Sequence, residues 1–236
     1  MGIRDGIPIA LGYLSVSFAF GIFATSSGLS VLEAVLISVF NVTSAGQLAA
    51  VPIIASGGSF VELALAQLVI NLRYSLMSVS LSQRLGDSIR IRDRFLISFI
   101  NTDEIFAVAM SKDALVGRKY MLGLILTPFF GWALGTLFGA VAGNILPVLV
   151  VSALGIAIYA MFIAIILPEA RGSLSCALCV IFSVALSSAF YFIPALSAVP
   201  SGFVIIICAI MASALFALIA PVSDEVETCE EVDANV

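Results

Sequence analysis

The chain has no histidine, a single tryptophan and few charges, since only 11% of its 236 residues are charged. Without histidine there is no histidine proton relay, no zinc site of the HExxH kind and no Ser-His catalysis. A soluble domain carries about a quarter charged residues, whereas 61% of this chain is hydrophobic and its mean hydropathy is +1.19. The composition therefore predicts a polytopic membrane protein.

Nothing in the sequence indicates a cofactor, a metal site or catalysis. Cys176 and Cys179 form a CxxC pair, but it lies in an apolar stretch, where packing explains it better than metal or redox chemistry. An intramembrane enzyme would need a Gly-x-Gly-Asp motif or two mid-helix aspartates on separate spans, and we find neither in the sequence. The net charge of −5 gives no reason to expect a nucleic-acid partner.

Six hydrophobic runs are long enough to cross a bilayer, because a spanning helix needs about 20 apolar residues. These runs cover residues 8–29, 60–83, 120–144, 148–168, 173–192 and 200–219. Two further apolar segments, 33–56 and 95–111, are interrupted by polar residues. The sequence thus predicts an all-α polytopic membrane bundle with about six full spans and two broken or re-entrant helical segments. Residues 1–222 would form a single transmembrane transport domain, and residues 223–236 an acidic cytoplasmic tail of no assigned role.

The basic residues indicate how the second interrupted segment lies. Two clusters flank it: Arg84, Arg90, Arg92 and Arg94 before it, and Lys112, Arg118 and Lys119 after it. If segment 95–111 crossed the membrane, one cluster would face outward, against the positive-inside rule. A segment that dips in and returns leaves both clusters and the C-terminus in the cytoplasm.

Segment 33–56 leaves two alternatives open, a re-entrant segment or a broken span. The second alternative gives seven crossings with the N-terminus outside. Paired interrupted segments are typical of transporter binding sites built from inverted repeats. The sequence itself, however, shows no convincing self-similarity between the two segments.

Arg73 lies near the middle of the apolar run from Phe60 to Ser82. A charge at the centre of a bilayer costs about 2.5–3.5 kcal/mol on insertion scales, so it marks a functional site by default. We expect Arg73 to lie in the protein interior with an acidic or backbone-carbonyl partner, and the acidic candidates are Asp103 and Glu104 of the second interrupted segment.

Three polar groups form the candidate site. We expect the first two groups to bind substrate and the third to carry a proton or meet a positive charge. The first is Asn41, Thr43, Ser44, Gly46 and Gln47, the second is Asn71, Arg73 and Tyr74, and the third is Thr102, Asp103 and Glu104. The alternatives are small-residue helix packing for the first group, a structural ion pair for the second, and solvated acids at the membrane surface for the third.

A glycine stripe marks the run 120–144. Its members recur every four residues and so share one helix face: Gly131, Gly135, Gly139 and Gly143. Such a stripe lets another helix approach closely. The sequence does not say whether that helix belongs to this chain or to another protein.

These motifs, in this order, resemble the AzlC family, the large subunit of branched-chain amino acid exporters of the LIV-E type. The resemblance rests on Gly2 to Pro8, on the turn 44–50, on Asn71-Leu72-Arg73-Tyr74, on Thr102-Asp103-Glu104 and on Trp132 with Gly135 and Thr136. It covers about residues 2–170. It implies export of hydrophobic amino acids across a prokaryotic inner membrane, together with a small membrane subunit of the AzlD type.

We therefore interpret the chain as a secondary exporter of branched-chain or other hydrophobic amino acids that is coupled to protons. Arg73 or the half-helix amides near residues 44–47 would hold the substrate carboxylate. Asp103 or Glu104 would hold its ammonium group or a proton. The alternative is a passive channel or a scaffold subunit of a membrane complex.

Overall fold

A computed structural model describes residues 1–112, 114–194 and 196–220. The acidic tail predicted at 223–236 lies outside the described residues. Ten helices account for most of the described chain: α1 (Gly2–Ser26), α2 (Val31–Phe40), α3 (Ser44–Ala55), α4 (Phe60–Ser82), α5 (Ile91–Ile100), α6 (Asp103–Met110), α7 (Arg118–Gly143), α8 (Val148–Gly172), α9 (Leu174–Phe192) and α10 (Ser201–Ile219).

The long helices correspond to the six predicted spans. Within the described residues, α1, α4, α7, α9 and α10 have the length and composition to cross a membrane, and α8 is 25 residues long. The first helix begins at Gly2 rather than at residue 8, so Pro8 lies inside it. The reason is tertiary packing, since Gly2 and Gly6 lie against Tyr120 and Leu124 of α7.

Both interrupted segments are pairs of short helices joined at their polar residues. The first hairpin, residues 31–55, breaks at Asn41 to Thr43, where the Thr43 side chain accepts a hydrogen bond from the Gly46 backbone N–H (3.2 Å) and caps α3. The second hairpin, residues 91–110, breaks at Asn101 and Thr102. Each half is too short to span a bilayer alone, because spanning takes about 20 residues.

The glycine stripe of α7 packs on α1 of the same chain. A Cβ at Gly131 would lie 2.6 Å from the Ala10 carbonyl oxygen, so only glycine permits this approach. The contacts advance together along both helices: Gly131 meets Ala10, Gly135 meets Leu14, Gly139 meets Phe18, and Gly143 meets Ile22 and Thr25. The two helices therefore run parallel, which gives the bundle an N-terminal face, where both begin, and an opposite face, where both end.

The second hairpin leaves and returns to the N-terminal face. Its two ends are joined, because the Gly86 N–H donates to the Val116 carbonyl (3.0 Å) and the Val116 N–H donates to the Arg84 carbonyl (2.9 Å). The chain therefore enters and leaves this hairpin at the base of α7. This hairpin therefore dips in and returns to the same face, as its flanking basic clusters lead us to expect for segment 95–111.

The first hairpin enters from the opposite face. Its returning helix packs there, since Val51 of α3 clusters with Phe20 and Ala24 of α1 and Ala140 of α7. α4 ends at the N-terminal face beside residues 84–86 and so must begin at the opposite face. There, the carboxylate of Glu62 accepts a hydrogen bond from the Gly202 N–H at the start of α10 (2.8 Å).

Once the helices are placed, the two hairpins reveal a repeat. The bounds of α2 and α5 differ by 60 residues, as do the breaks at Asn41 and Asn101. Aligned at this offset, VLEAVLISVFN (31–41) and IRDRFLISFIN (91–101) share Leu-Ile-Ser and the final Asn. Glu33 and Asp93 occupy equivalent positions, and each accepts a hydrogen bond from the backbone N–H three residues earlier. Because the hairpins enter from opposite faces, this repeat is inverted.

Candidate functional site

The two hairpin breaks meet beside Tyr13, halfway along α1. The Tyr13 ring is buried against Val42 of the first break and lies edge-on to Trp132, with ring centroids 5.1 Å apart. Its hydroxyl is hydrogen-bonded to Thr102 Oγ1 of the second break (2.5 Å) and donates to the Glu104 carboxylate. One side chain of α1 thus contacts both breaks. Sequence reasoning did not single out Tyr13, because only the fold brings it to this position.

An amide cluster fills the space between the first break and α4. Gln67 Oε1 accepts hydrogen bonds from the side chains of Asn41 (2.8 Å) and Asn71 (3.1 Å), while Gln67 Nε2 donates to the Gly46 carbonyl (2.8 Å). Thr43 Oγ1 donates to Asn41 Oδ1 (3.0 Å). The structure therefore brings Asn41, Thr43, Gly46 and Asn71 together and adds Gln67. Gln67 lies one turn before Asn71 on α4, a spacing that identifies it in retrospect.

Gly46 is required by this cluster. A Cβ at position 46 would lie 2.6 Å from Gln67 Oε1 and 3.0 Å from the Asn41 amide nitrogen. No larger residue fits without displacing those amides. Its φ is not positive, so the need for glycine here is steric, and Gly46 leaves space for the amide cluster.

Arg73 has the acidic partner that the sequence predicts. Its Nη2 lies 2.8 Å from Asp103 Oδ2 and 3.0 Å from the Tyr74 hydroxyl, and the guanidinium lies over the Tyr74 ring at 4.8 Å. The expectation that Arg73 is enclosed in the protein interior is wrong for this chain. The Arg73 side chain is 55% exposed and that of Asp103 is 46% exposed, because no described helix covers this side of α4.

Several buried polar groups near the breaks have no hydrogen-bond partner in the described part of the chain. They are both side-chain polar atoms of Gln47 and Asn101, Asn71 Oδ1 and Trp132 Nε1. Gln47 is fully buried, and Asn101 and Trp132 are each 4% exposed. Buried polar groups are usually hydrogen-bonded, and those that are not suggest water or a ligand. Gln47 therefore stands apart from the amide cluster, although the sequence groups it with Asn41 and Thr43. Ser44 makes no side-chain hydrogen bond in the described residues.

Two cavities adjoin the first break. One has a volume of about 350 Å³ and combines the amides of Asn41, Gln67 and Asn71 with aliphatic walls that include Ile37 and Leu63. The second, of about 430 Å³, lies between α3, α4, α8 and α10 and is almost entirely apolar. Apolar walls with a few polar groups at one end are typical of sites for amphipathic small molecules.

The base of the second hairpin is held by charged pairs. Arg118 binds Asp93 through two hydrogen bonds (2.7 and 2.9 Å), and Lys112 lies 2.8 Å from Asp5 of α1. The Asp5 carboxylate, which also accepts a hydrogen bond from Tyr120 (2.6 Å), raises the pKa of Lys112 and keeps it charged. These contacts attach the hairpin to α1 and α7 at the N-terminal face.

Comparison with known proteins places this geometry in a family. The model of the AzlC protein family matches residues 8–146, a range that contains both hairpins, α4 and the glycine stripe. The chain belongs to the AzlC family. The resemblance seen in the sequence motifs is thereby confirmed, and the matched range begins and ends inside the predicted one.

Two relatives support the assignment of this AzlC protein. The inner membrane protein YgaZ of Escherichia coli (strain K12) is 32% identical over 71% of each chain. An uncharacterized membrane protein of Archaeoglobus fulgidus is also 32% identical, over 72% of this chain and 75% of its own. No solved structure matches the chain. The relatives are membrane proteins, in agreement with the apolar helices described above.

Proposed function

We propose that this AzlC protein is a secondary transporter that exports branched-chain or other hydrophobic amino acids across the inner membrane. The observation that carries the proposal is the meeting of two hairpin breaks from opposite faces at Tyr13. Broken helices of an inverted repeat that meet at mid-depth are the usual site of substrate and coupling ions in secondary transporters. This arrangement serves transport rather than catalysis.

The electrostatics of the breaks suit a zwitterion. The first turn of α3 carries no acid, so the positive end of its dipole remains available to a carboxylate. The first turn of α6 carries Asp103 and Glu104, which attract an ammonium group or a proton. Arg73 is already paired with Asp103, so in this conformation the carboxylate is assigned to α3 rather than to Arg73.

The cavity of about 350 Å³ supports an aliphatic cargo. Its walls from Ile37 and Leu63 would bury the substrate side chain, and Asn41, Gln67 and Asn71 would face the polar end. Burial of an aliphatic side chain of this size contributes about 1.5–3 kcal/mol. That contribution favours leucine, isoleucine, valine or methionine over charged amino acids.

The charge distribution supports a cytoplasmic N-terminal face. Of the 10 Lys and Arg residues, all except Arg73 lie at the N-terminal face: Arg4, Arg84, Arg90, Arg92, Arg94, Lys112, Arg118, Lys119 and Arg171. The positive-inside rule therefore assigns this face to the cytoplasm. Since α10 begins at the opposite face, the C-terminus would also be cytoplasmic. Export then runs from the N-terminal face outward, driven by an inward proton movement worth about 2.3 kcal/mol per 100 mV.

The exposed ion pair supports a partner subunit. A charged pair halfway along α4 is costly in lipid, and Leu72 and Leu76 on the same side of α4 are also exposed. We propose that a small membrane subunit of the AzlD type covers this side with a polar residue facing Arg73 and Asp103. A photo-crosslinking residue at Leu76 should trap a co-expressed subunit, whereas one at exposed Leu178 of α9 should not. Equal yields at both positions would contradict this docking side.

Counterflow in proteoliposomes tests the transport proposal. Purified protein, with and without the candidate subunit, is reconstituted with unlabelled leucine inside and labelled leucine outside. We expect transient accumulation of labelled leucine, competition by valine, isoleucine and methionine, and none by arginine or glutamate. Saturable counterflow identifies a carrier. Flux without saturation or counterflow would indicate a channel, and no flux under any condition would leave a scaffold subunit.

A further inference from the structure

We infer that Glu104, and not Asp103, is the carboxylate that takes up the positive charge during transport, and that Tyr13 is its positioning residue. The positive charge is either a proton or the substrate ammonium, because both are recognised by the same uncompensated carboxylate. The inference rests on the proposed function and assigns the two acids separate roles.

The charges at the second break do not cancel. The only cation in α4 is Arg73, whereas the first turn of α6 carries two acids, Asp103 and Glu104. Asp103 Oδ2 lies 2.8 Å from the guanidinium, so the Asp103 charge is compensated within the chain. Glu104 forms no salt bridge with the described residues. One negative charge at mid-depth therefore remains for an external cation, and leaving it bare in the membrane is costly.

Glu104 pairs with no cation among the described residues. From α1 it meets Tyr13, from α4 the neighbouring titratable groups are Arg73 and Tyr74, and on its own helix the neighbour is Asp103. The α7 residues packed on this hairpin are apolar, including Met121 and Ile125. Glu104 is exposed, so an incoming cation has access to it.

Tyr13 fixes the position of this carboxylate. Its ring is 8% exposed and lies edge-on to Trp132, so the hydroxyl has little freedom of movement. Because that hydroxyl also bonds Thr102 at the start of α6, Tyr13 fixes the position of both the helix terminus and the carboxylate of Glu104 on its first turn. Without the hydroxyl, the Glu104 side chain would be free to adopt rotamers that point away from the break.

A second observation indicates a ligand at the same break. Asn101, directly before Thr102, is buried, and neither of its side-chain polar atoms has a hydrogen-bond partner among the described residues. The same holds for the buried Nε1 of Trp132 beside Tyr13. Polar groups left without partners at a buried site are commonly satisfied by water or by bound substrate. The break thus offers both a carboxylate for a cation and free hydrogen-bonding groups for the rest of a polar molecule.

Transport assays on matched variants distinguish the two acids. Glu104→Gln should lose uphill export driven by a proton gradient by about tenfold or more, a difference of about 1.4 kcal/mol. If the positive charge is a proton, leucine counterflow survives and its pH dependence disappears. If the positive charge is the substrate ammonium, counterflow is lost as well, and the KM for leucine rises.

The control is Glu33→Gln, which neutralises an exposed acid at the start of α2, outside the site. It should retain proton-driven export. Tyr13→Phe should shift the pH profile of export while keeping counterflow, whereas a merely structural role would lower both equally. Loss of coupling in Asp103→Asn, with normal coupling in Glu104→Gln, would overturn the assignment.

Carbodiimide labelling tests the inference without transport. A hydrophobic carbodiimide reacts with protonated carboxylic acids, and the adduct is located by mass spectrometry of the purified protein. We expect the adduct on Glu104, protection by a cationic amine or by leucine, and little reaction at the paired Asp103. Adducts on Asp103 alone would refute the inference. If the wild-type protein shows no counterflow yet Glu104 is labelled, the proposed substrate is wrong while the assignment of the acid stands.

Discussion

The two hairpins share a backbone plan and differ in charge. Each consists of a ten-residue helix, a break beginning with Asn, and a second helix, of 12 residues in the first hairpin and 8 in the second. The first break is surrounded by neutral amides, and the α3 terminus carries no acid. The second places Asp103 and Glu104 on the first turn of α6. A helix N-terminus favours anions. The N-terminus of α6 is satisfied by its own acids, Asp103 and Glu104, whereas that of α3 has no acid and remains available to an external anion. The same backbone plan thus carries two breaks of opposite electrostatic character.

The hairpins are also anchored differently. On α2, Ala34 and Ser38 are buried, and Ser38 forms a hydrogen bond with Thr136 of α7 (2.6 Å). Relative to α2, the buried positions of α5 are shifted by one residue along the helix, so that Asp93 and Ile97 are buried while Ser98 is exposed. The first hairpin is therefore fixed to α7 by a buried hydrogen bond along its length, whereas the second adds charged pairs at its base to the apolar packing of Ile97 and Ile100 on α7.

The largest effect is expected from filling the first break. Gly46→Leu should abolish transport, with a loss of at least about tenfold, because the side chain would displace Gln67 and Asn41. Leucine uptake and counterflow in proteoliposomes measure it. The control is Gly12→Ala, since a Cβ at Gly12 meets no heavy atom within 4 Å. Wild-type transport by Gly46→Leu would show that the amide cluster is dispensable.

Making the first hairpin resemble the second should weaken substrate binding. Ser44→Glu places an acid on the first turn of α3, where it would occupy the site proposed for the substrate carboxylate. We expect the KM for leucine to rise by about tenfold, while Ser44→Gln, of similar size but neutral, changes it little. An equal rise in both variants would attribute the effect to bulk rather than to charge.

The charged base of the second hairpin should contribute more to stability than the equivalent acid of the first. Asp93→Asn removes the ion pair with Arg118 and leaves one of the two acceptor oxygens, whereas Glu33→Gln disturbs only the local contact with Ser30. We expect a decrease of a few degrees in the melting temperature in detergent for Asp93→Asn and a smaller one for Glu33→Gln. The double variant Asp93→Asn with Arg118→Gln isolates the coupling between them. Equal shifts for Asp93→Asn and Glu33→Gln would mean that the hairpins are anchored alike.

The smallest effect compares two equivalent serines. Ser38→Ala removes a buried hydrogen bond with Thr136, which in membranes contributes about 0.6 kcal/mol and up to about 1–2 kcal/mol. Ser98→Ala, at the equivalent position of α5, removes an exposed hydroxyl and should change the unfolding free energy by less than about 0.5 kcal/mol. Chemical denaturation of the two variants in mixed micelles provides the comparison. Equal losses would contradict the difference in rotation between α2 and α5.

Much of the architecture could be read from hydropathy and polar interruptions. The six long apolar runs predict the long helices because a bilayer requires a fixed length of apolar helix. The polar residues at 41–47 and 101–104 predict both breaks, since irregular backbone at membrane depth needs polar partners. The start of α1 was misplaced because the packing of Gly2 and Gly6 on α7 lies far away in sequence.

The sequence by itself determined the class of protein, the number of long helices, the positions of the breaks and the pairing of Arg73 with an acid. These follow from local rules, in which length, polarity and charge decide whether a segment tolerates lipid. Only the tertiary structure decided that α1 covers the glycine stripe, that Tyr13 joins the two breaks and that Gln67 completes the amide cluster. Such contacts join residues that are far apart along the chain. Hydropathy does not specify them, because many sequences of equal hydropathy would pack differently. The inverted repeat became visible for the same reason, because its signal is concentrated in α2 and α5 and emerges only when their bounds are aligned.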